Sequence, residues 1–158
     1  SGPGQVDVYV KADAGDGTAG ATLLDAVADN IEVSGSTGLA SRRPVNAYVN
    51  VESIYLTTVD VIVFGLYVDP GIMTATKDYI EEALENYLLS RENYIVGISF
   101  PPRRDIVMMS EAAGAVGRVA AANGGYITGV TLEIGGVPVD IYSLAEGEQV
   151  RIGTVTWS

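Results

Sequence analysis

From Thr57 to Asp69 the chain leaves no polar face on an extended segment. Val59, Val61 and Val63 fall on one side, and Ile62, Phe64, Leu66 and Val68 join Asp60 on the other. A strand apolar on both sides belongs in the middle of a sheet that is covered. The cover follows at once. Asp69-Pro70-Gly71 ends the strand, and Thr74–Ser90 then carries Ile80, Ala83, Leu84, Tyr87 and Leu88 at i, i+3, i+4, i+7 and i+8. Asp78, Glu81, Glu82 and Glu85 take the opposite face, and the early acids suit the positive end of a helix dipole.

The flanking segments extend this pattern. Val6, Val8 and Val10 alternate with polar neighbours as a half-buried strand, and Ala12–Gly17 reads as a loop. Leu24, Val27, Ala28 and Ile31 recur at helical spacing, with Thr18 or Thr22 as the N-cap, and Ser34–Gly38 breaks that helix. Val45, Ala47, Val49 and Val51 give a second strand. Tyr94–Phe100 reads as a short strand or a buried loop stopped by Pro101-Pro102. Ile106–Met109 either opens a helix capped by Asp105 or forms a short strand before a helix Glu111–Ala122 capped by Ser110. Asn123-Gly124-Gly125 ends that helix. Tyr126–Ile134 and Val137–Tyr142 flank a Gly135-Gly136 hairpin turn, and Val150–Trp157 adds a last strand. The expected class is α+β: a mixed sheet or sheets with about three helices on one face and a strand-rich C-terminal part. Residues 1–4 resemble a linker or tag remnant, 5–158 form the folded region, and a division into two subdomains is expected near 91–104.

Composition narrows the chemistry. Within 158 residues there is no cysteine and no histidine, which removes disulfides, thiolate nucleophiles, the Ser-His-Asp triad and imidazole-ligated metals. Nine Lys and Arg stand against twenty Asp and Glu, and a net charge of −11 repels nucleic-acid phosphates and anionic lipid heads. The longest apolar runs, Val61–Val68 and Tyr94–Phe100, fall far short of the roughly twenty residues of a membrane span. The expectation is a soluble chain without cofactor or metal, binding neither nucleic acid nor membrane.

The remaining motifs have ordinary explanations. Asp13, Asp16 and Gly17 lack the alternating acids and distal Glu of a calcium loop, and a polar turn accounts for them. Glu81, Glu82 and Glu85 sit on the solvated helix face, without the desolvation that tunes a catalytic acid. The glycines of Gly114–Gly129 match no phosphate-binding fingerprint. Lys11 and Lys77 are the only lysines, and Lys77 is expected at an exposed helix start. Arg42-Arg43 and Arg103-Arg104 adjoin prolines in loops, and arginine is enriched where subunits meet. Nine tyrosines against two phenylalanines suit surfaces that are covered on assembly. The interface candidates are therefore Arg42, Arg43, Arg103, Arg104 and Tyr94.

The order of segments carries a resemblance. Val6-Asp7-Val8-Tyr9-Val10 precedes an amphipathic helix, and Arg42-Arg43-Pro44-Val45 leads into Val49-Asn50-Val51. Val59-Asp60-Val61-Ile62-Val63 then closes at Asp69-Pro70-Gly71, followed by Ile80–Leu88. Asp105-Ile106-Val107-Met108-Met109-Ser110 opens an Ala/Gly helix ahead of Ile127-Thr128-Gly129-Val130. This series resembles the C-terminal region of the baseplate assembly protein J family of contractile-tailed phages and related injection machines. The resemblance implies an α+β fold and a structural, non-enzymatic subunit or fragment of a baseplate wedge. Its partners would be other baseplate and tail subunits or further copies of itself. It would be assembled in the bacterial host cytoplasm and reside in the virion tail baseplate. Two other readings stand beside it, a small ligand- or glycan-binding α+β module and a hydrolase independent of His and Cys.

Overall fold

The computed structural model describes residues 4–15, 17–32, 47–92 and 104–158. The chain forms two compact units, Ser1–Tyr55 and Leu56–Ser158. The division expected near 91–104 falls largely on 93–103, which lie outside the described residues. Among the described residues the two units contain three α-helices and mixed sheets, an α+β fold.

In the first unit, β1 (Gln5–Val10) pairs in parallel with β2 (Tyr48–Ser53), from Gln5 opposite Tyr48 to Val10 opposite Ser53. Parallel neighbours need a crossover, and α1 (Ala21–Glu32) lies within this one, packed against β2. Its half-buried positions include Leu24, Val27, Ala28 and Ile31, the stripe expected from spacing. The helix starts one residue before Thr22, and the Gly20 carbonyl takes its first bonds, from Leu23 and Leu24 at 3.0 and 3.1 Å. Ala12 N donates to Gly17 O at 2.9 Å, closing the polar turn.

The second unit is built on β3 (Tyr55–Phe64). It pairs antiparallel with β5 (Gly129–Ile134), which pairs antiparallel with β6 (Val137–Val139) across the Gly135-Gly136 turn. On its other side lies β8 (Glu148–Trp157). Ser158 donates to Val63 O and accepts from Gly65 N, the straddling pattern of a parallel pair, so this sheet is mixed. The strand stops at Phe64 rather than Asp69 because Gly65 turns the backbone at φ +55. Asp69 instead caps the 3-10 turn Pro70–Ile72, its Oδ1 accepting from Gly71 N at 2.7 Å.

Two helices cover one face of this sheet. α2 (Met73–Leu89) buries Thr76, Ile80, Leu84 and Leu88, and α3 (Met109–Ala122) buries Ala112, Ala115, Val116 and Ala120. They close over Val59, Val61 and Val63 of β3 and Val130 and Leu132 of β5. Each fully buried Leu or Ile contributes about 2 kcal/mol of transfer free energy. The second face of β3 is only half covered: Ile62 is half-buried and Phe64 exposed, so the strand is central but not enclosed on both sides. The small residues of α3 are explained by its close packing on α2.

Of the two readings of Ile106–Met109, the strand is observed. β4 (Ile106–Met108) pairs antiparallel with β7 (Ile141–Ser143), and Met108 in extended conformation, not Ser110, is the N-cap of α3. At the other end Gly125 N donates to Ala120 O and Gly124 N to Ala121 O, the paired bonds of a Schellman cap. The inward face of β8 switches from Val150 and Ile152 to Val155 and Trp157, which requires one extra residue at Gly153–Thr154. Thr154 N is held there by Asp60 Oδ1 at 2.7 Å.

Candidate assembly surface

Of the five interface candidates, Arg42, Arg43, Tyr94 and Arg103 lie outside the described residues. Arg104 is exposed, with Nη1 3.8 Å from Glu92 Oε1 and both side chains open to water, a pair worth little. Lys77 is not at a free helix start: its Nζ stands 4.8 Å from the Trp157 ring centroid, over an aromatic face on β8. Glu81, Glu82 and Glu85 are exposed as expected. Among the described residues no group of three or more acids is placed to hold a metal ion. Among them, too, no helix is long and apolar enough to cross a membrane.

The prominent exposed feature is an aromatic pair the sequence did not single out. Tyr67 and Tyr126 stack with ring centroids 4.8 Å apart and planes 23° from parallel. Their backbones hold them there: Tyr67 N donates to Tyr126 O at 2.9 Å and Tyr126 N to Tyr67 O at 3.0 Å. The approach depends on Gly125, since a Cβ at that position would overlap the Tyr67 carbonyl. Both residues remain more than half exposed, at 55% and 58%. The pair is a rigid apolar platform with two hydroxyls, whose side-chain order is already fixed before anything docks. Gly125→Ala should force the two segments apart, lowering stability by about 1–3 kcal/mol and weakening the tyrosine signal in near-ultraviolet circular dichroism.

A second exposed feature runs between α2 and α3. An open groove of about 500 Å³ is lined by Ala83, Asn86, Tyr87, Ala115, Arg118, Val119 and Ala122. A smaller one of about 330 Å³ adjoins it through Tyr87 and Arg118 and reaches Arg91, Ser110, Glu111 and Gly114. Tyr87 is clamped: its hydroxyl donates to Met108 O at 3.1 Å and accepts from Met108 N at 2.8 Å. Arg91 lies 4.6 Å over the ring and pairs with Glu111 at 3.1 Å. Burial pushes the Tyr87 hydroxyl pKa above its ordinary value, with the nearby Glu111 charge adding to the rise and the Met108 hydrogen bond and Arg91 opposing it.

Glu148 is 4% exposed and fully engaged. Its Oε1 accepts from Thr57 Oγ1 and from the Tyr142 hydroxyl at 2.6 Å, and its Oε2 from Ala145 N at 2.8 Å. A buried carboxylate with this many donors ties β3, β7 and β8 together, and its bonds are committed to the fold.

No protein-family model matches the chain, and no curated protein matches it.

Proposed function

We propose that the chain is a structural subunit, or a fragment of one, from a contractile phage or prophage-derived tail baseplate wedge, and that it works by protein–protein assembly rather than catalysis. The exposed, backbone-pinned Tyr67–Tyr126 stack carries this reading. Aromatic surface held rigid and left open is what subunit contacts bury, because its ordering cost is met in the fold beforehand. The order of segments supplies the tail setting. The ten-residue β8 adds a sheet edge, whereas the opposite edge, β6, is three residues long and carries Pro138.

The reading is tested in cells that carry the gene. The chain should copurify with intact contractile particles, and deletion should leave tails without complete baseplates by electron microscopy. Particles that lack the chain and assemble normally without it would overturn the proposal. Charge reversal of Arg42 and Arg43 should reduce incorporation into particles while the melting temperature stays within about 2 °C.

The same tyrosine pair favours a second reading, a glycan-binding module, since sugar rings stack on aromatic faces. Saturable chemical-shift changes confined to Tyr67 and Tyr126 on adding oligosaccharides, with no incorporation into particles, would select it.

A further inference from the structure

We propose that Asn123 is a modification site, where the side-chain amide is lost through a cyclic imide to leave aspartate or isoaspartate. The C-terminal cap of α3 controls the rate, and the isoaspartate form dismantles the Tyr67–Tyr126 platform. The inference goes beyond the assembly reading and does not need it, since what is lost is the platform's geometry and not a partner. The sequence singles the position out. Asn123 precedes Gly124, which has no side chain to hinder approach to its backbone nitrogen, whereas every other asparagine of the chain precedes a residue that has one.

The reaction needs only water. The Gly124 nitrogen gives up its proton and attacks Cγ of Asn123, and the NH2 group takes up a proton and leaves as ammonia. Water then opens the imide. Cleavage between Cγ and the Gly124 nitrogen gives aspartate, and cleavage of the original peptide bond gives isoaspartate, with the main chain rerouted through the side chain. The cap opposes ring closure at three points. Closure needs the Gly124 nitrogen eclipsed with Cβ of Asn123, and ψ 18 at Asn123 swings it away. The Gly124 N–H donates to Ala121 O at 3.0 Å, which holds its proton in place. Nδ2 of Asn123 donates to Val119 O at 2.9 Å, drawing the amide back along α3. Conversion therefore passes through local opening of the cap, and its rate follows the population of the open form.

The consequence follows from how tightly the next residues are held. Isoaspartate lengthens the main chain by a carbon at this position, and the fold has no slack to absorb it. Gly125 N donates to Ala120 O at 2.9 Å across the modified residue. Gly125 is also pressed so close to Tyr67 that an added Cβ would overlap the Tyr67 carbonyl. The longer chain breaks the cap bonds and shifts Tyr126 out of its paired bonds with Tyr67, so the rings lose their stack. Either product also sets a carboxylate beside the carbonyl ends of α3, where the helix dipole disfavours it.

The test holds the whole chain in warm, mildly alkaline buffer below its melting transition, beside the same chain unfolded in guanidinium chloride, and follows both by peptide mapping with mass spectrometry. In the unfolded chain Asn123 should convert before any other asparagine. In the folded chain it should convert measurably but about tenfold or more slowly. The isoaspartate fraction, read by labelling with an isoaspartyl methyltransferase, should grow in step with loss of the tyrosine signal in near-ultraviolet circular dichroism. Asn123→Gln, whose longer side chain closes a ring far less readily, should keep that signal through the same incubation. A folded chain in which Asn123 never converts overturns the proposal, and so do equal rates in the folded and unfolded chains. A converted chain that retains the parent's tyrosine signal, or an equal loss of signal in Asn123→Gln, overturns it as well. Incorporation into tail particles reads the assembly function separately, and none of these results alters it.

Discussion

Glu148→Ala should lower stability by about 3 kcal/mol or more and the melting temperature by roughly 10 °C or more. The substitution removes one carboxylate but leaves three donors, on Thr57, Tyr142 and Ala145. A donor left without its acceptor costs about 1–3 kcal/mol where water cannot reach it, and because Thr57 and Tyr142 are half-buried and Ala145 is exposed, water meets part of that loss. Two of the three are hydroxyls that can rotate toward other acceptors, which keeps the total below the simple sum. Glu148→Gln separates shape from chemistry. It fills the same space, and its amide oxygen can still accept from both hydroxyls, but its NH2 then faces the Ala145 N–H donor to donor. An intermediate loss of about 1–2 kcal/mol is expected, read by thermal melting of both variants beside the parent chain. A melting temperature for Glu148→Ala within about 2 °C of the parent would show that the carboxylate does not hold these strands.

Glu148 also shows where sequence reading stops. In a polar bend with Glu146 and Gly147 it looks like a solvated turn charge, and only folding brings Thr57 and Tyr142 onto it. Periodic elements were legible, because burial selects for period: Leu24–Ile31 on α1, Ile80–Leu88 on α2 and Val59–Val63 on β3 all face where spacing placed them. Elements set by single contacts were not. Gly65 ends β3 before the apolar run is over, and the extra residue at Gly153–Thr154 shifts the alternation of β8 midway. The two compact units meet in sequence at Tyr55–Leu56, where no proline or glycine marks a boundary. The candidate surface was legible only in outline. An excess of tyrosine pointed to assembly, but the pairing of Tyr67 with Tyr126 arises from two backbones meeting at Gly125.

Tyr87→Ala should be strongly damaging for a half-buried position, costing about 3 kcal/mol or more. Two losses combine. The half-buried ring packs against the core and beneath Arg91, and its removal strips those contacts and widens the groove between α2 and α3. The hydroxyl satisfies both the N–H and the carbonyl of Met108, the N-cap of α3, so its removal also strips the junction between β4 and α3. Tyr87→Phe keeps the ring and isolates the second loss, for which about 2 kcal/mol is expected. The phenol also imposes a pH dependence whose sign is fixed. Its folded-state pKa is raised, chiefly by burial, so its contribution is complete below the ordinary tyrosine value of 10.0 and is lost as pH climbs through the higher folded value. The informative quantity is the difference between parent and Tyr87→Phe. That difference should shrink as the pH passes 10 and rises further, because ionisation costs the parent a bonus the variant never had. Parallel thermal melts from neutral to alkaline pH measure it directly, and a difference that stays constant or grows above pH 10 would mean that the hydroxyl is not buried against Met108.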